Sequence, residues 1–264
     1  MKNSLDTTAD TGLNAAANAN LAVQLTQVRQ WLAEAQHVAV LTGAGISAES
    51  GVPTFRDDKT GYWAQFTPRD MASVAGFRRD PAHVWGWYQY RRELIAQVLP
   101  NAGHQALAQW AALHPERLTL ITQNVDGLHE RAGSSDVLNL HGQLMKNQWL
   151  DRCCGQCPDP LDLAQLQDGT PPRCPACGNM LRPAVVWFGE NLPKKTWNEA
   201  DQAAKACDVM LVVGTSGAVY PAAGLAQIAK SHGATVIIVN PQASELDKVA
   251  HVLLQGTAAS VLPQ

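Results

Sequence analysis

The sequence has little of what marks membrane, secreted or nucleic-acid-binding proteins. No apolar run among its 264 residues approaches the roughly twenty that a membrane-spanning helix needs, and the N-terminus lacks the basic-then-apolar order of a signal peptide. Only 16% of the residues are charged and the formal net charge is -3, so the chain has no overall electrostatic footprint for nucleic acid or an anionic membrane. We therefore expect a cytoplasmic monomer that binds small molecules or protein segments, and neither nucleic acid nor membrane.

Cysteine is scarce outside one segment. Five of the six cysteines lie between Cys153 and Cys177, which argues against a disulfide framework and indicates metal binding in a reducing compartment. Cys154, Cys157, Cys174 and Cys177 form two Cys-x-x-Cys pairs, an arrangement that presents four thiolates to a structural Zn2+. Cys153 leaves the register ambiguous, and we prefer Cys154 for its two-residue spacing and Gly-containing turn. Four thiolates leave no position for water, so the metal is expected to have no catalytic role.

A glycine-rich turn follows the first apolar run. Residues His37 to Thr42 predict a buried parallel strand, and Gly43-Ala44-Gly45-Ile46-Ser47-Ala48 can bring bare backbone N–H groups to a phosphate. Alone, this pattern is a weak signal for a dinucleotide, because such turns also occur without a ligand. An ordinary dinucleotide fold would show a second strand ending in an acidic residue, and none is evident before Asp70. The continuation from Gly51 to Arg56 instead suits a loop that folds over a nucleotide.

Later apolar runs also end in small or polar residues, as a parallel sheet with a ligand at its carboxyl edge requires. The residues that follow three of these runs are Gln123-Asn124-Val125-Asp126, Gly214-Thr215-Ser216 and Asn240-Pro241-Gln242, and the final run leads to Ala258. Helical spacing over 21–35 predicts an amphipathic helix. Residues 61–100 lack an obvious strand and predict a helical insertion, while 1–20 lack an apolar period and predict a mobile tail.

The two parts of the glycine-rich segment together resemble the sirtuins, which are NAD-dependent protein deacylases. Further family-like blocks follow in the family's order up to Ala258, including Asn101 to Leu107, where His104 is taken as structural. The resemblance implies an α/β fold, a Rossmann-like parallel sheet with a small zinc-binding module and a helical insertion. The corresponding boundaries are 21–60, 101–150 and 181–264 for the NAD-binding domain, 61–100 for the insertion and 151–180 for the zinc module.

The resemblance also implies the residues that hold NAD and perform the reaction. Asn124 and Asp126 would bind the nicotinamide carboxamide and Gln123 the ribose, and His141 would be the general base. A lone histidine after an apolar run is more often structural, and the family usually has an acidic residue where this chain has Asn139. The cofactor-contacting residues implied are Gly43, Ala44, Gly45, Ile46, Ser47, Ala48, Thr54, Phe55, Arg56, Tyr62, Gln123, Asn124, Val125, Asp126, Gly214, Thr215, Ser216, Asn240, Pro241, Gln242 and Ala258.

An acyl-binding motif is implied within the insertion. Tyr88 and Arg91 are three residues apart, hence on one face of a helix, and match the Tyr-x-x-Arg motif of sirtuins that prefer acidic acyl groups. Without the family, a half-buried aromatic and a solvated charge would be the simpler interpretation. The small Ala72 would leave room for a longer acyl chain. The segment Val186-Trp187-Phe188 resembles the family segment that lines the acyl-lysine channel and pairs with the substrate backbone.

The resemblance predicts an enzyme that removes acetyl, succinyl or malonyl groups from lysines of acylated proteins, releasing nicotinamide and O-acyl-ADP-ribose. Its cofactors would be NAD and Zn2+. His141 would take a proton from a ribose hydroxyl, a task that an unperturbed histidine pKa suits at neutral pH. Two alternatives stay open, namely an NAD-dependent protein ADP-ribosyltransferase and a non-catalytic module that senses NAD.

Overall fold

The structure is a computed structural model that describes residues 8–53, 68–160 and 169–264. Four predicted cofactor-contacting residues, Thr54, Phe55, Arg56 and Tyr62, therefore lie outside the described residues. Within these ranges no helix is long and apolar enough to cross a membrane.

Eight strands form two sheets within the described ranges. The strands in chain order are β1 (Val38–Thr42), β2 (Leu118–Thr122), β3 (Leu138–Asn139), β4 (Gly142–Trp149), β5 (Leu181–Val185), β6 (Val209–Val213), β7 (Thr235–Asn240) and β8 (Val252–Gln255). Six of them make a sheet in the order β3-β2-β1-β6-β7-β8, in which every pair is parallel, and β4 pairs with β5 antiparallel. The α/β class with a Rossmann-like parallel sheet is confirmed.

Helices connect the strands and cover the sheet. They are α1 (Thr8–Glu34), α2 (Pro68–Met71), α3 (Val74–Arg79), α4 (Pro81–Gln97), α5 (Ala102–Leu113), α6 (Leu128–Arg131), α7 (Lys194–Ala206), α8 (Gly224–Ser231) and α9 (Ala258–Val261), with 3-10 helices at Ala44–Ser50 and Asp247–Val249.

The core lies on both faces of the large sheet, because successive strand residues point to opposite sides. Val40 and Leu211 belong to the cluster that packs with residues of α1, α5 and α9, whereas Leu41 and Val212 belong to the cluster that packs with α7 and α8. Each fully buried aliphatic side chain of this kind contributes about 1.5–3 kcal/mol relative to an exposed one. A sheet covered on both faces explains why its strands read as continuous apolar runs.

The first helix is longer than the sequence indicates. The spacing over 21–35 predicts its packed half, where Leu25 and Val28 are buried, but the helix begins at Thr8, inside the predicted mobile tail. Alanine, the strongest helix former, is abundant there and extends the packed half toward the N-terminus. At the other end, Arg117 donates to the carbonyls of Leu32 and Ala33, which would otherwise lack partners in the last turn.

The small module combines the second sheet with the helical insertion. The helices α2, α3 and α4 all fall within 68–97, as the prediction of a helical insertion requires. Asp80 caps α4 by accepting the His83 N–H at 3.1 Å, and Pro81 fixes the first helical φ. The module has its own apolar cluster, which packs the aromatic residues of α3 and α4 against Leu144 of β4 and Leu181 of β5.

Candidate functional site

The site begins where the order of strands reverses. β1 lies between β2, which continues the sheet one way, and β6, which continues it the other way, so the loops after β1 and β6 diverge over a crevice. Gly45 donates its N–H to the Gly214 carbonyl at 2.7 Å. A Cβ on Gly45 would lie 2.7 Å from the Gly214 Cα, closer than real Cβ atoms approach, and Gly214 itself has a φ of +62°. Only glycines allow these two loops to meet.

A cleft of about 1230 Å3 extends from this point to the small module. It is larger than most small-molecule sites, as a dinucleotide plus a peptide side chain requires. Ile46 is the exception among the described residues predicted to contact the cofactor, because its side chain is fully buried in the core beneath the sheet. The predicted residues that line the cleft are Gly43, Ala44, Gly45, Ser47, Ala48, Gln123, Asn124, Val125, Asp126, His141, Gly214, Thr215, Ser216, Asn240, Pro241, Gln242, Ala258, Ala72, Tyr88, Arg91, Val186, Trp187 and Phe188.

Asp126 and Asn124 are held at the cleft by buried hydrogen bonds. Asp126 accepts the Leu128 N–H at 2.9 Å and the Ser47 hydroxyl at 2.7 Å, while the Asn124 amide donates to the Gly43 carbonyl at 3.1 Å and to Ser47 at 3.2 Å. Burial raises the pKa of Asp126, although its two hydrogen bonds oppose that shift. A carboxylate beside a primary amide offers both an acceptor and a donor, which matches a carboxamide such as that of nicotinamide.

Two buried histidines, which no sequence pattern pairs, lie behind this wall. Ser47 donates its one hydrogen to Asp126, so the contact of 3.3 Å with His104 Nε2 must have His104 as the donor. Thr42 donates to Thr122, so His129 Nε2 likewise donates to Thr42 at 2.9 Å. The rings lie 4.9 Å apart. Burial lowers the pKa of His104 to about 4 and, together with the neighbouring His104, that of His129 to about 3, so both rings are neutral.

His141 is oriented for proton transfer. Its Nδ1 lies 2.8 Å from the Gln123 carbonyl, which can only accept, so Nδ1 carries the hydrogen and Nε2 presents a lone pair. The ring lines the cleft, and the backbone carbonyl of His141 accepts the Val186 N–H at 2.8 Å. Burial lowers the pKa of His141, against the opposing effect of the Gln123 hydrogen bond. The base form is therefore the stable one at neutral pH.

Asn139 takes part in a clamp around the His141 turn. Its amide donates to Glu130 at 2.8 Å, and the same Glu130 oxygen accepts from Gln143 at 2.7 Å. The carboxylate that orders this turn thus comes from α6. This arrangement gives a physical reason why an amide at position 139, where the family usually has an acid, is compatible with an ordered base.

The far end of the cleft is aromatic with one cation. The Trp187 indole N–H donates to the Tyr88 hydroxyl at 2.7 Å, and the Arg91 guanidinium carbon lies 4.8 Å from the Trp87 ring centroid. Ala72 accepts the Phe188 N–H at 2.9 Å. Tyr88 is buried and lines the cleft with Arg91, as the helix-face argument predicts. Arg91 thus lies where a cleft-bound group could reach it, and its role in binding stays a prediction.

The four predicted zinc ligands converge. Their sulfur atoms all lie within 4.8 Å of one another, and the Cys154 and Cys177 sulfurs lie 3.8 and 3.7 Å from the Cys157 sulfur. Zinc–sulfur bonds of about 2.3 Å in a tetrahedron put sulfurs about 3.8 Å apart, so the residues fit Zn2+. Cys153 lies outside this group, and its sulfur accepts the N–H groups of Gly155 and Cys157 at 3.3 Å. The register beginning at Cys154 is the one that the structure supports.

Comparison with known proteins gives a consistent result. Residues 43–221 match the model of the Sir2 family. An NAD-dependent protein deacylase of Ralstonia nicotianae is 56% identical over 90% of this chain and 94% of its own. A crystal structure of a Sir2 homologue in complex with NAD is 41% identical, with a TM-score of 0.80 and 90% of both chains covered. A structure of Sir2Tm bound to a propionylated peptide is 29% identical, with a TM-score of 0.78, and covers 90% of this chain and 95% of that one.

Proposed function

The chain belongs to the Sir2 family, and on that premise we propose that it is an NAD-dependent protein-lysine deacylase with a preference for succinyl and malonyl groups. The general activity rests on the relatives that carry it and on the cleft that joins a dinucleotide crevice to a second pocket. The acidic preference rests on the Tyr88 hydroxyl and the Arg91 guanidinium at the far end of that cleft.

The chemistry of the far end favours a carboxylate. An acetyl group needs only an apolar pocket, and it carries no charge that could pair with the Arg91 guanidinium. A guanidinium can take a carboxylate bidentately, and the Tyr88 hydroxyl can supply a third donor. Burial raises the pKa of Tyr88 to about 12, so the phenol keeps its hydrogen at physiological pH. A charge-assisted hydrogen bond contributes about 1.5–3 kcal/mol net, which corresponds to about 10-fold to 150-fold in selectivity.

The residues of this chain divide the work of the reaction. Asp126 and Asn124 would hold the carboxamide of NAD. Bound NAD would supply an electrophilic ribose carbon for the acyl oxygen, with nicotinamide as the leaving group. His141 Nε2 has the lone pair that would accept a proton from a ribose hydroxyl. The Gln123 carbonyl fixes that tautomer, since it binds the hydrogen on the other ring nitrogen. The buried His104 donates to Ser47, which in turn donates to Asp126, so His104 supports both without adding charge.

A panel of acetyl, malonyl and succinyl peptides tests the proposal. We expect a higher kcat/KM for the acidic acyl groups, and we expect Arg91→Met to lower the succinyl-to-acetyl ratio by about 10-fold to 150-fold. Arg92→Lys is the matched control on the same helix, because Arg92 donates to the Leu144 and Lys146 carbonyls of β4 rather than to the cleft. An unchanged ratio in Arg91→Met would show that Arg91 is structural and that the enzyme is better described as a deacetylase.

The alternatives have distinct products. A module that only senses NAD would release no nicotinamide from NAD plus an acyl peptide. An ADP-ribosyltransferase would move label from NAD to protein. The Nε2 lone pair of His141 facing the cleft favours deacylation, because ribosyl transfer to a protein does not require the ribose hydroxyl to be activated.

A further inference from the structure

An ion pair adjoins the acyl end of the cleft, with a buried arginine, Arg182, and a partly exposed carboxylate, Glu190, that lines the cleft. The Arg182 side chain is only 2% exposed and binds Glu190 bidentately, with N–O distances of 2.6 and 2.8 Å. Its guanidinium carbon also lies 3.5 Å from the Trp187 ring centroid. Glu190 accepts the backbone N–H of Trp187 at 2.8 Å, and Arg182 donates to the Val185 carbonyl at 2.6 Å. Every one of these contacts falls on the segment that presents Trp187.

Stability alone is a weak reason for such a pair. Removing two charges from water costs several kcal/mol per ion, and apolar replacements of buried ion pairs are often as stable. Burial opposes the ionisation of Glu190, but hydrogen bonds from Arg182 and the Trp187 N–H lower its pKa below the usual value. The ion pair fixes the plane of the Trp187 ring, which apolar residues could not do. The guanidinium holds one face of the Trp187 ring while Glu190 holds its backbone.

The indole N–H of Trp187 determines which hydrogen bonds the Tyr88 hydroxyl can make. A phenol has one hydrogen to donate, and an indole N–H can only donate. The hydrogen bond of 2.7 Å from Trp187 therefore makes Tyr88 the acceptor toward the protein. Its own hydrogen remains for a group in the cleft, where a carboxylate beside Arg91 would be the natural acceptor. If the indole were absent, the hydroxyl could rotate and its hydrogen would be less well aimed.

We infer that Arg182 and Glu190 are positioning residues for acyl selectivity, which act by holding the Trp187 N–H against Tyr88 so that the phenol donates to an acyl carboxylate. The inference rests on the proposed preference for acidic acyl groups and adds two residues that act through Trp187 and Tyr88. It requires that Trp187 affect selectivity through the Tyr88 hydroxyl rather than through the shape of the pocket alone.

A double-mutant cycle on the succinyl-to-acetyl ratio of kcat/KM tests this requirement. Trp187→Phe keeps an aromatic ring but removes the N–H, and we expect the ratio to fall about 3-fold to 10-fold, mainly through a higher KM for the succinyl peptide. In a Tyr88→Phe background the same change should have little further effect. Arg182→Lys keeps the charge but loses the planar stack and the bidentate bond, and should lower the ratio in the same direction.

Trp85→Phe is the matched control. Trp85 is a buried indole in the same apolar cluster and also lies near an arginine, with the Arg92 guanidinium carbon 5.4 Å from its ring centroid. Its Nε1 has no hydrogen-bond partner among the described residues, so this variant removes an indole without removing a bond to the phenol. We expect its ratio to match that of the wild type, and a melting curve for each variant shows whether it is folded.

Each contrary outcome has a separate meaning. A wild-type enzyme without preference for succinyl over acetyl overturns both the proposed acyl preference and this inference. A clear wild-type preference with additive effects of Trp187→Phe and Tyr88→Phe overturns the inference alone. The same holds if Trp85→Phe lowers the ratio as much as Trp187→Phe does. A wild-type ratio in folded Arg182→Lys removes Arg182 from the role.

Discussion

The two walls of the cleft are built in different ways. The wall on the large sheet is formed by loops that leave adjacent parallel strands, so its polar residues are placed by main-chain hydrogen bonds and by an apolar core on each face. In the part of the chain that the structure describes, the wall on the small module has a two-stranded sheet. It is held by side chains that are distant in sequence, such as Arg92 on the carbonyls of β4 and Arg182 on Glu190.

The walls also differ in how they use charge. The histidines behind the sheet wall are neutral, and most of its buried polar atoms are satisfied by neutral partners. The module wall uses arginines over aromatic rings, an ion pair and four cysteines that fit a metal. On the function proposed above, the sheet wall would serve the chemistry common to every substrate, and the module wall would serve selectivity among acyl groups. The predictions below separate the two, beginning with the largest expected effect.

Loss of the metal should affect the module wall first. Structural zinc contributes about 10–16 kcal/mol of apparent binding free energy in small zinc domains. We expect Cys154→Ser and Cys177→Ser to lose zinc and to lower the melting temperature. Deacylation should fall further than the affinity for NAD, which the sheet wall holds. Metal content, calorimetry, a deacylation assay and NAD titration measure these effects.

Two other cysteines serve as controls for the zinc prediction. Cys153 lies outside the cluster of sulfurs, and Cys207 is buried beneath the large sheet, where its thiol donates to the Ala204 carbonyl at 3.4 Å. Cys153→Ser and Cys207→Ser should both retain zinc. If Cys153→Ser loses the metal while Cys154→Ser keeps it, the ligand register given above is wrong.

Replacing His141 should slow the proton transfer at the sheet wall and leave the fold of the small module unchanged. His141→Ala removes the Nε2 lone pair and should reduce kcat by about 100-fold to 10,000-fold, the usual range for loss of a general base. NAD binding and zinc content should stay close to the wild-type values, since the ring contacts neither the glycine loops nor the cysteines among the described residues. Because the pKa of His141 is lowered, wild-type kcat should hold below pH 6.5 before it falls. Full turnover by His141→Ala would exclude His141 from proton transfer.

The sheet wall was the more predictable of the two, because its signals are local. A short apolar run followed by glycines or amides places both a strand and the residues at its carboxyl end, and Gly45, Asp126 and Gly214 do line the cleft at that edge of the sheet. The cysteine pairs and the Tyr88–Arg91 spacing were local signals too. Ile46 shows the limit of such reasoning, since a residue inside a ligand-binding loop still points into the core.

The contacts that were missed join residues far apart in the chain. Nothing in the local sequence pairs Thr42 with His129, 87 residues away. Trp187 was expected to line the acyl channel, but its bond to Tyr88 crosses 99 residues and could not be inferred from spacing. Arg182 follows an apolar leucine in a short strand, a position that gives no reason to expect a buried charge. A general physical rule still applies there: an arginine that is buried requires a carboxylate partner.

Acid should weaken the sheet wall through its neutral histidines, and this is the smallest of the expected effects. The pKa of His104 is lowered to about 4 and that of His129 to about 3, from 6.5. Below pH 6.5 the unfolded chain therefore binds protons that the folded chain does not, so the stabilisation present above pH 6.5 is lost as pH falls toward 4. Each such group contributes at most about 1.4 kcal/mol per pH unit within that window.

Comparing variants isolates this contribution from that of other groups. The raised pKa of Asp126 acts with the opposite sign, because a protonated buried carboxyl loses stability as pH rises through its folded pKa. Melting temperatures of the wild type and of His129→Gln between pH 6.5 and 5 give the difference directly, and the variant should have the shallower slope. His232→Gln, at an exposed histidine after α8, should keep the wild-type slope. A slope in His129→Gln equal to that of the wild type would mean that His129 gains its proton without unfolding. The hydrogen bonds around His129 would then accommodate a charge. The two walls would therefore not differ in how they use charge.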